Sequence, residues 1–149
     1  MNELIELLIQ KNLKIAIVES MTGGRLAYEF VKHKGASSIF QEGFILYSNE
    51  SKSKYLEIPL KDIENYGVVS NYIAQKMAER MHQLTNRDIT ISVTGYASDR
   101  SPNEAYFSIY YNNAITTKHI VFKSTDKREE NILKTVQLIT ENLKVLIKK

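Results

Sequence analysis

The sequence predicts an α/β fold, a three-layer α/β/α domain with helices on both faces of a mixed sheet, and three observations carry that reading. Short strand-like runs at 14–18, 38–47 and 89–93 alternate with segments of helical spacing through the first two thirds of the chain. Two further strand-like runs flank Asn112-Asn113, a pair that accepts positive φ readily, so a tight antiparallel hairpin is expected there. From about Lys127, Ile132, Leu133, Val136, Ile139, Leu143 and Leu146 recur at helical spacing and predict a long closing helix. No internal repeat, low-complexity stretch or linker-like break interrupts the 149 residues, so one domain over 1–149 is expected.

In chain order, 2–10 sets Leu4, Ile5, Leu7, Leu8 and Ile9 on a wide apolar face, with Glu3 and Glu6 outside it and Asn2 as the cap. Lys14 to Val18 is a β-branched run of the kind buried in parallel sheets. Val18-Glu19-Ser20-Met21-Thr22-Gly23-Gly24 then reads as a sharp strand-to-helix turn. It exposes the Ser20 hydroxyl at the carboxyl end of the strand and aims the free N–H groups of the new helix at whatever sits there. Thr22 is the expected cap, with Leu26, Ala27 and Phe30 on one face, and the helix stops near His33-Lys34-Gly35. Ser38 to Tyr47 is the second strand, in which Gly43 marks a bulge or a close backbone approach. Ser48 or Asn49 caps a short helix carrying Lys52, which Pro59 closes, and 61–66 adds a turn or two before Gly67. Ser70 caps a clearer helix through Ile73, Met77, Met81 and Leu84. The third buried strand ends at Thr94-Gly95, and 96–104 is a polar loop.

Composition excludes several classes of function. The absence of cysteine removes disulfides and thiolate metal sites and fits a cytoplasmic location. No stretch reaches the roughly 20 apolar residues that cross a bilayer, and the start lacks a basic secretory signal. A net charge of +3 from scattered lysines suits a small anionic partner; without a basic stripe interleaved with aromatics, nucleic acid is not expected. No metal-ligand cluster is visible, and no cofactor is expected. The tyrosine-rich hairpin around Tyr106, Tyr110 and Tyr111 serves either ordinary sheet packing or self-association into a homo-oligomer.

Ser20 is either a nucleophile or a serine that only caps a helix. A nucleophile needs a base, and His33, His82 and His119 stand in no pattern that supplies one. A lysine does the same work where desolvation holds its amine neutral. Tyr47-Ser48-Asn49-Glu50-Ser51-Lys52 places Tyr47 at a strand end and Lys52 on the first turn of the next helix, so both reach the sheet edge that carries Ser20.

Three ordered stretches, Glu-Ser-Met-Thr-Gly-Gly at 19–24, Gly-Phe-Ile-Leu-Tyr-Ser-Asn-Glu-Ser-Lys at 43–52 and Tyr-Gly-Val-Val-Ser at 66–70, resemble the signatures of the CinA C-terminal domain family. This family of competence-damage-inducible proteins includes the nicotinamide-nucleotide amidases, and the resemblance spans essentially the whole chain. It implies hydrolysis of nicotinamide mononucleotide to nicotinic acid mononucleotide and ammonia. The family's serine, tyrosine and lysine fall on Ser20, Tyr47 and Lys52. Lys52 would take the Ser20 proton directly or through Tyr47, with oxyanion support from N–H groups near Thr22 to Gly24. Substrate contacts are expected from Thr22, Gly23, Gly24, Ser37, Asn49, Thr94, Gly95 and Arg100.

Departures concentrate in the second half. Met21 stands for the usual cysteine, and Gly35-Ala36-Ser37-Ser38 has lost one loop hydroxyl. After Thr94-Gly95 the family's glycine-rich loop is replaced by a run with Asp99, Arg100 and Glu104, so backbone N–H groups no longer close on a phosphate. Arg100 offsets part of that loss. The late Gly-Asp-Arg survives only within Ser124-Thr125-Asp126-Lys127-Arg128. Two readings follow: an amidohydrolase of altered preference, or a catalytically inactive relative that binds a small molecule or a protein.

Overall fold

The computed structural model describes residues 1–98 and 100–149; the acidic expectation at Asp99 lies outside them. Strands β1 (Ile15–Glu19), β2 (Phe40–Ile45), β3 (Ile89–Tyr96), β4 (Glu104–Tyr111) and β5 (Ala114–Val121) form one sheet in the order β2-β1-β3-β4-β5. The first three run parallel, and β4 and β5 are antiparallel, which makes the sheet mixed as the sequence predicts. Six α-helices cover it: α1 (Asn2–Gln10), α2 (Arg25–Val31), α3 (Asn49–Leu56), α4 (Leu60–Tyr66), α5 (Asn71–Thr85) and α6 (Arg128–Lys148). Among the described residues no helix is long and apolar enough to cross a membrane.

Strand periodicity divides the interior in two. Ile15 and Ile17 of β1 join one cluster with Leu4, Leu8, Leu26, Phe30, Ile139 and Leu143, which come from α1, α2 and α6. Ala16 and Val18 point the other way into a second cluster with Leu56, Ile63, Ile73, Met77 and Met81. Alternation with period two therefore places a helical layer on each face. β1 is buried along its whole length, as a central parallel strand must be. On β3, Thr90 and Ser92 donate their hydroxyls to the carbonyls of Ala78 (2.8 Å) and Ala74 (2.5 Å), so α5 lies close against small polar side chains.

Several local expectations change. Asn2 lies inside α1; Met1 is the cap and makes no side-chain bond. The second strand is shorter than 38–47, because Ala36–Ser38 closes into a 3-10 helix and the chain leaves the ladder after Ile45. Tyr47 therefore follows the strand rather than ending it. The register shift on this strand falls between Phe40 and Glu42, not at Gly43, while a Cβ at Gly43 would stand 3.3 Å from the Ile17 carbonyl. That close approach is what the glycine serves. Glu57 in the left-handed region ends α3 before Pro59 is reached. Leu84 is 49% exposed, off the buried face of α5. The hairpin matches its expectation, with Asn112 and Asn113 at φ 54 and 59. Its tyrosines are used within the fold: Tyr106 stacks on His119 and Tyr110 on His82, while Tyr111 packs on the larger core.

Candidate functional site

The turn after β1 is fixed from beneath by Glu19. Its carboxylate is 1% exposed and accepts three backbone N–H groups, from Gly24 (3.1 Å), Leu26 (3.1 Å) and Ala27 (2.8 Å). A carboxylate at the positive end of α2 satisfies the first-turn donors and the dipole together. The cap itself is Gly24 at φ 98, a conformation that a Cβ would strain. Thr22 therefore does not cap the helix; its buried hydroxyl oxygen has no partner among the described residues. Nor are the N–H groups of Gly23 and Gly24 available to a ligand, since Gly23 donates to the Ser20 carbonyl at 3.1 Å and Gly24 to Glu19. The protein fills its own helix-end anion site.

Above this turn Ser20 is 7% exposed and faces Lys52. Ser48 starts α3 with a reciprocal cap: its side chain accepts the Ser51 N–H at 3.0 Å, and the Ser51 hydroxyl accepts the Ser48 N–H at 3.2 Å. That start turns the Lys52 side chain inward. Its Nζ lies 3.0 Å from Ser20 Oγ and 2.9 Å from the Leu46 carbonyl, with 1% exposure. Burial pushes the amine down from 10.5 to about 8. Among the described residues no carboxylate pairs with it, so nothing restores its charge. A neutral amine here donates one N–H to Leu46 and offers its lone pair to the Ser20 hydroxyl.

The pair opens into a cavity of about 490 Å³ at the carboxyl ends of β1 and β3. Its lining comes from several stretches of the chain: Met21, residues 47–50, Val68 and Val69, and Thr94, Gly95, Tyr96, Ser98 and Arg100. Arg128, the first residue of α6, completes the lining. Tyr47 lines the cavity but is not bonded to the pair: its hydroxyl accepts from Arg128 Nη2 at 2.7 Å. Tyr47 therefore does not stand between Ser20 and Lys52, which meet directly. Arg128 Nη1 also donates to Ser98 Oγ at 3.3 Å. The Arg100 guanidinium lies 5.5 Å from the Tyr96 ring centre, and its backbone N–H donates to Asn103 Oδ1. The loop that bears it is anchored from α6, where buried Asn131 donates to the Ala97 carbonyl at 2.7 Å.

Of the expected site residues, Ser20, Tyr47, Lys52, Asn49, Thr94, Gly95 and Arg100 share the cavity, whereas Thr22, Gly23, Gly24 and Ser37 do not line it. Ser37 sits exposed in the 3-10 turn, where its carbonyl accepts from Gln41. Gly95 has a packing reason to be glycine, since an added Cβ would meet Met21 Sδ at 2.2 Å and Ala105 Cβ at 2.8 Å. Thr94 donates to the Val68 carbonyl at 2.8 Å and so joins two stretches of the lining. The histidines stay outside: His119 meets Glu104 at 2.7 Å and His82 meets the Arg87 carbonyl at 3.0 Å. Sequence reasoning missed Arg128, Glu19, Tyr96 and Glu50. Arg128 carried a signal, as the last residue of the worn triplet at 126–128. An acid directly before a turn into a helix was the signal for Glu19.

A family model described as the CinA C-terminal domain matches residues 1–147. A competence-damage inducible protein of Alkaliphilus metalliredigens is 38% identical over 137 residues, 88% of this chain and 33% of the relative. One from Streptococcus pneumoniae is 45% identical over 97 residues, 65% of this chain and 23% of the relative. The chain thus spans about a third of the length of the first of these curated relatives. The crystal structure of a competence or damage-inducible protein from Enterobacter asburiae superposes with a TM-score of 0.92 at 20% identity, covering 98% of this chain and 94% of that one. A competence-damaged protein (CinA) superfamily structure from Escherichia coli gives 0.90 at 23% identity, over 97% and 86% of the two chains. These two likenesses speak to the fold.

Proposed function

The chain belongs to the CinA C-terminal domain family, and from that premise we propose that it is an amidohydrolase acting on a small anionic nucleotide amide, of the nicotinamide mononucleotide type. The observation that carries this reading is the buried Lys52 amine, without an ion-pair partner among the described residues, 3.0 Å from the Ser20 hydroxyl in an open cavity. Lys52 takes the Ser20 proton as the oxygen attacks the carboxamide carbon, and a C–O bond forms. The C–N bond then breaks, and the leaving nitrogen takes that proton from Lys52 and departs as ammonia. Water attacks the acyl group in turn, passing a proton to Lys52 that returns to Ser20. With Gly23 and Gly24 already bonded and Thr22 off the cavity, Met21 is the residue of the turn whose N–H is left to stabilise the oxyanion, at about 3–4 kcal/mol for one donor. Arg100 and Arg128 line the cavity where the anionic end would lie, and Tyr47 steadies Arg128.

The test is ammonia release from nicotinamide mononucleotide by the unaltered chain and by Ser20→Ala. Release that depends on Ser20 supports the reading. No release at high protein concentration overturns the substrate, and release that survives the substitution overturns the mechanism. The loss of glycines between 96 and 105 favours the second reading, a binding relative without turnover, which the first of these failures would leave standing.

A further inference from the structure

Glu19 and Ser20 are neighbours whose side chains leave opposite faces of the sheet at the end of β1. Ile15 and Ile17 face the cluster under α1, α2 and α6, so the next odd position turns the same way, and the Glu19 carboxylate accepts from the start of α2. Ser20 leaves on the other side, toward Lys52 of α3. Residue 19 reaches that amine by a second route. Its carbonyl accepts the Leu46 N–H at 2.8 Å, one step past the end of β2, and the Leu46 carbonyl in turn accepts from Lys52 Nζ at 2.9 Å. On the first route the carboxylate holds Gly24, Leu26 and Ala27, while the Ser20 carbonyl takes the Gly23 N–H at 3.1 Å and closes the turn. Both partners of the 3.0 Å contact are thus fixed relative to one residue. A serine or asparagine cap satisfies one N–H of a helix start; a carboxylate, an acceptor at both oxygens, here holds the turn at three points.

We propose that Glu19 is a positioning residue for the Ser20–Lys52 pair: its carboxylate, working from the far face of the strand, holds the turn where the serine oxygen meets the buried amine. Glu19 itself does not line the cavity. This role rests on the amidohydrolase reading for its kinetic readout and goes beyond it in assigning the residue that keeps the pair in register.

The Lys52 amine is titrated by NMR in protein with isotope-labelled lysine, its signal assigned with Lys52→Met, in the unaltered chain, Glu19→Gln and Ala27→Pro. Ala27→Pro deletes one of the three donors at a first-turn position that tolerates proline and leaves the acid in place. In both variants a loosened turn admits water to the amine, and its midpoint is expected to climb from about 8 toward 10.5. Loss of a negative charge alone would move it down, so the direction separates position from charge. In both, kcat for ammonia release from nicotinamide mononucleotide is expected to fall about tenfold or more, with KM held within about twofold. Ile139→Ala, in the larger core and outside the cavity lining, lowers stability away from the turn and is expected to keep both midpoint and kcat. A midpoint that stays or falls in the folded variants, a kcat that does not change, or a midpoint that Ile139→Ala raises equally overturns the proposal. If Glu19→Gln does not fold, Ala27→Pro decides alone. Absence of ammonia release by the unaltered chain overturns the amidohydrolase reading, while the titration still decides this one.

Discussion

Replacing Lys52 by Met tests whether the amine is held against its preference for charge. The fall from 10.5 to about 8, at about 1.4 kcal/mol per pH unit, sets the penalty on the protonated form at about 3 kcal/mol. Below pH 8 both folded and unfolded chains carry the proton, and the penalty is fully present. Between pH 8 and 10.5 the unfolded chain holds a proton that the folded chain has shed, so stability rises with pH across that window. Methionine removes the penalty but leaves the Leu46 carbonyl without its 2.9 Å donor, a loss of about 1–2 kcal/mol. At pH 7 Lys52→Met is therefore expected to be more stable than the parent by about 1–2 kcal/mol, and at pH 10.5 less stable by a similar amount. Urea unfolding of both chains at the two pH values measures the swing, and titrations shared by the two proteins cancel in the difference. A swing below about 1 kcal/mol would refute the claim that burial lowers this lysine, whatever the activity does.

The same shift predicts that log kcat/KM for amide release rises with unit slope below pH 8 and flattens above it, because the base must be neutral; a flat profile from pH 6 to 9 counts against Lys52 as base. Glu19→Gln keeps the shape of the side chain but cannot accept all three N–H groups well, so stability should drop by about 2–3 kcal/mol in urea unfolding. A loss below about 0.5 kcal/mol would mean that α2 does not depend on this cap. Arg128→Gln should raise KM for an anionic amide about tenfold or more, with unfolding followed alongside because the guanidinium also bonds Tyr47 and Ser98. An unchanged KM would take Arg128 out of anion binding. Asn131→Leu should lower stability by about 1–3 kcal/mol through loss of the Ala97 bond, with the larger effect on protection of the 97–103 amides in hydrogen exchange.

The fold was legible where one physical signal dominated. Ile15 and Ile17 against Ala16 and Val18 encode a strand buried on both faces, and Asn112-Asn113 encodes its turn. The approach of Ser20 to Lys52 was legible because each follows a strand end in the parallel half of the sheet. What could not be read depends on the path of side chains through space. Whether Thr22 or Glu19 accepts the first N–H groups of α2 turns on which of them sits beneath the turn, and the chain spacing favours the nearer residue. Tyr47 reads as a neighbour of Ser20 until α6 brings Arg128 across to its hydroxyl, and those residues lie far apart along the chain. Ser37 entered the expected site through the family resemblance of its loop, but a 3-10 turn carries it to an exposed position off the cavity.

The first turn of α6 has a consequence of its own. The Ser20–Lys52 contact is complete once residue 52 is in place against the turn, whereas the guanidinium at 128 and the Asn131 anchor on Ala97 arrive with the final helix. The pair and the Arg128 side of the cavity are thus written on separate stretches of the polymer. Substitutions in the late stretch can therefore reshape that side of the cavity while the early contact stays in place.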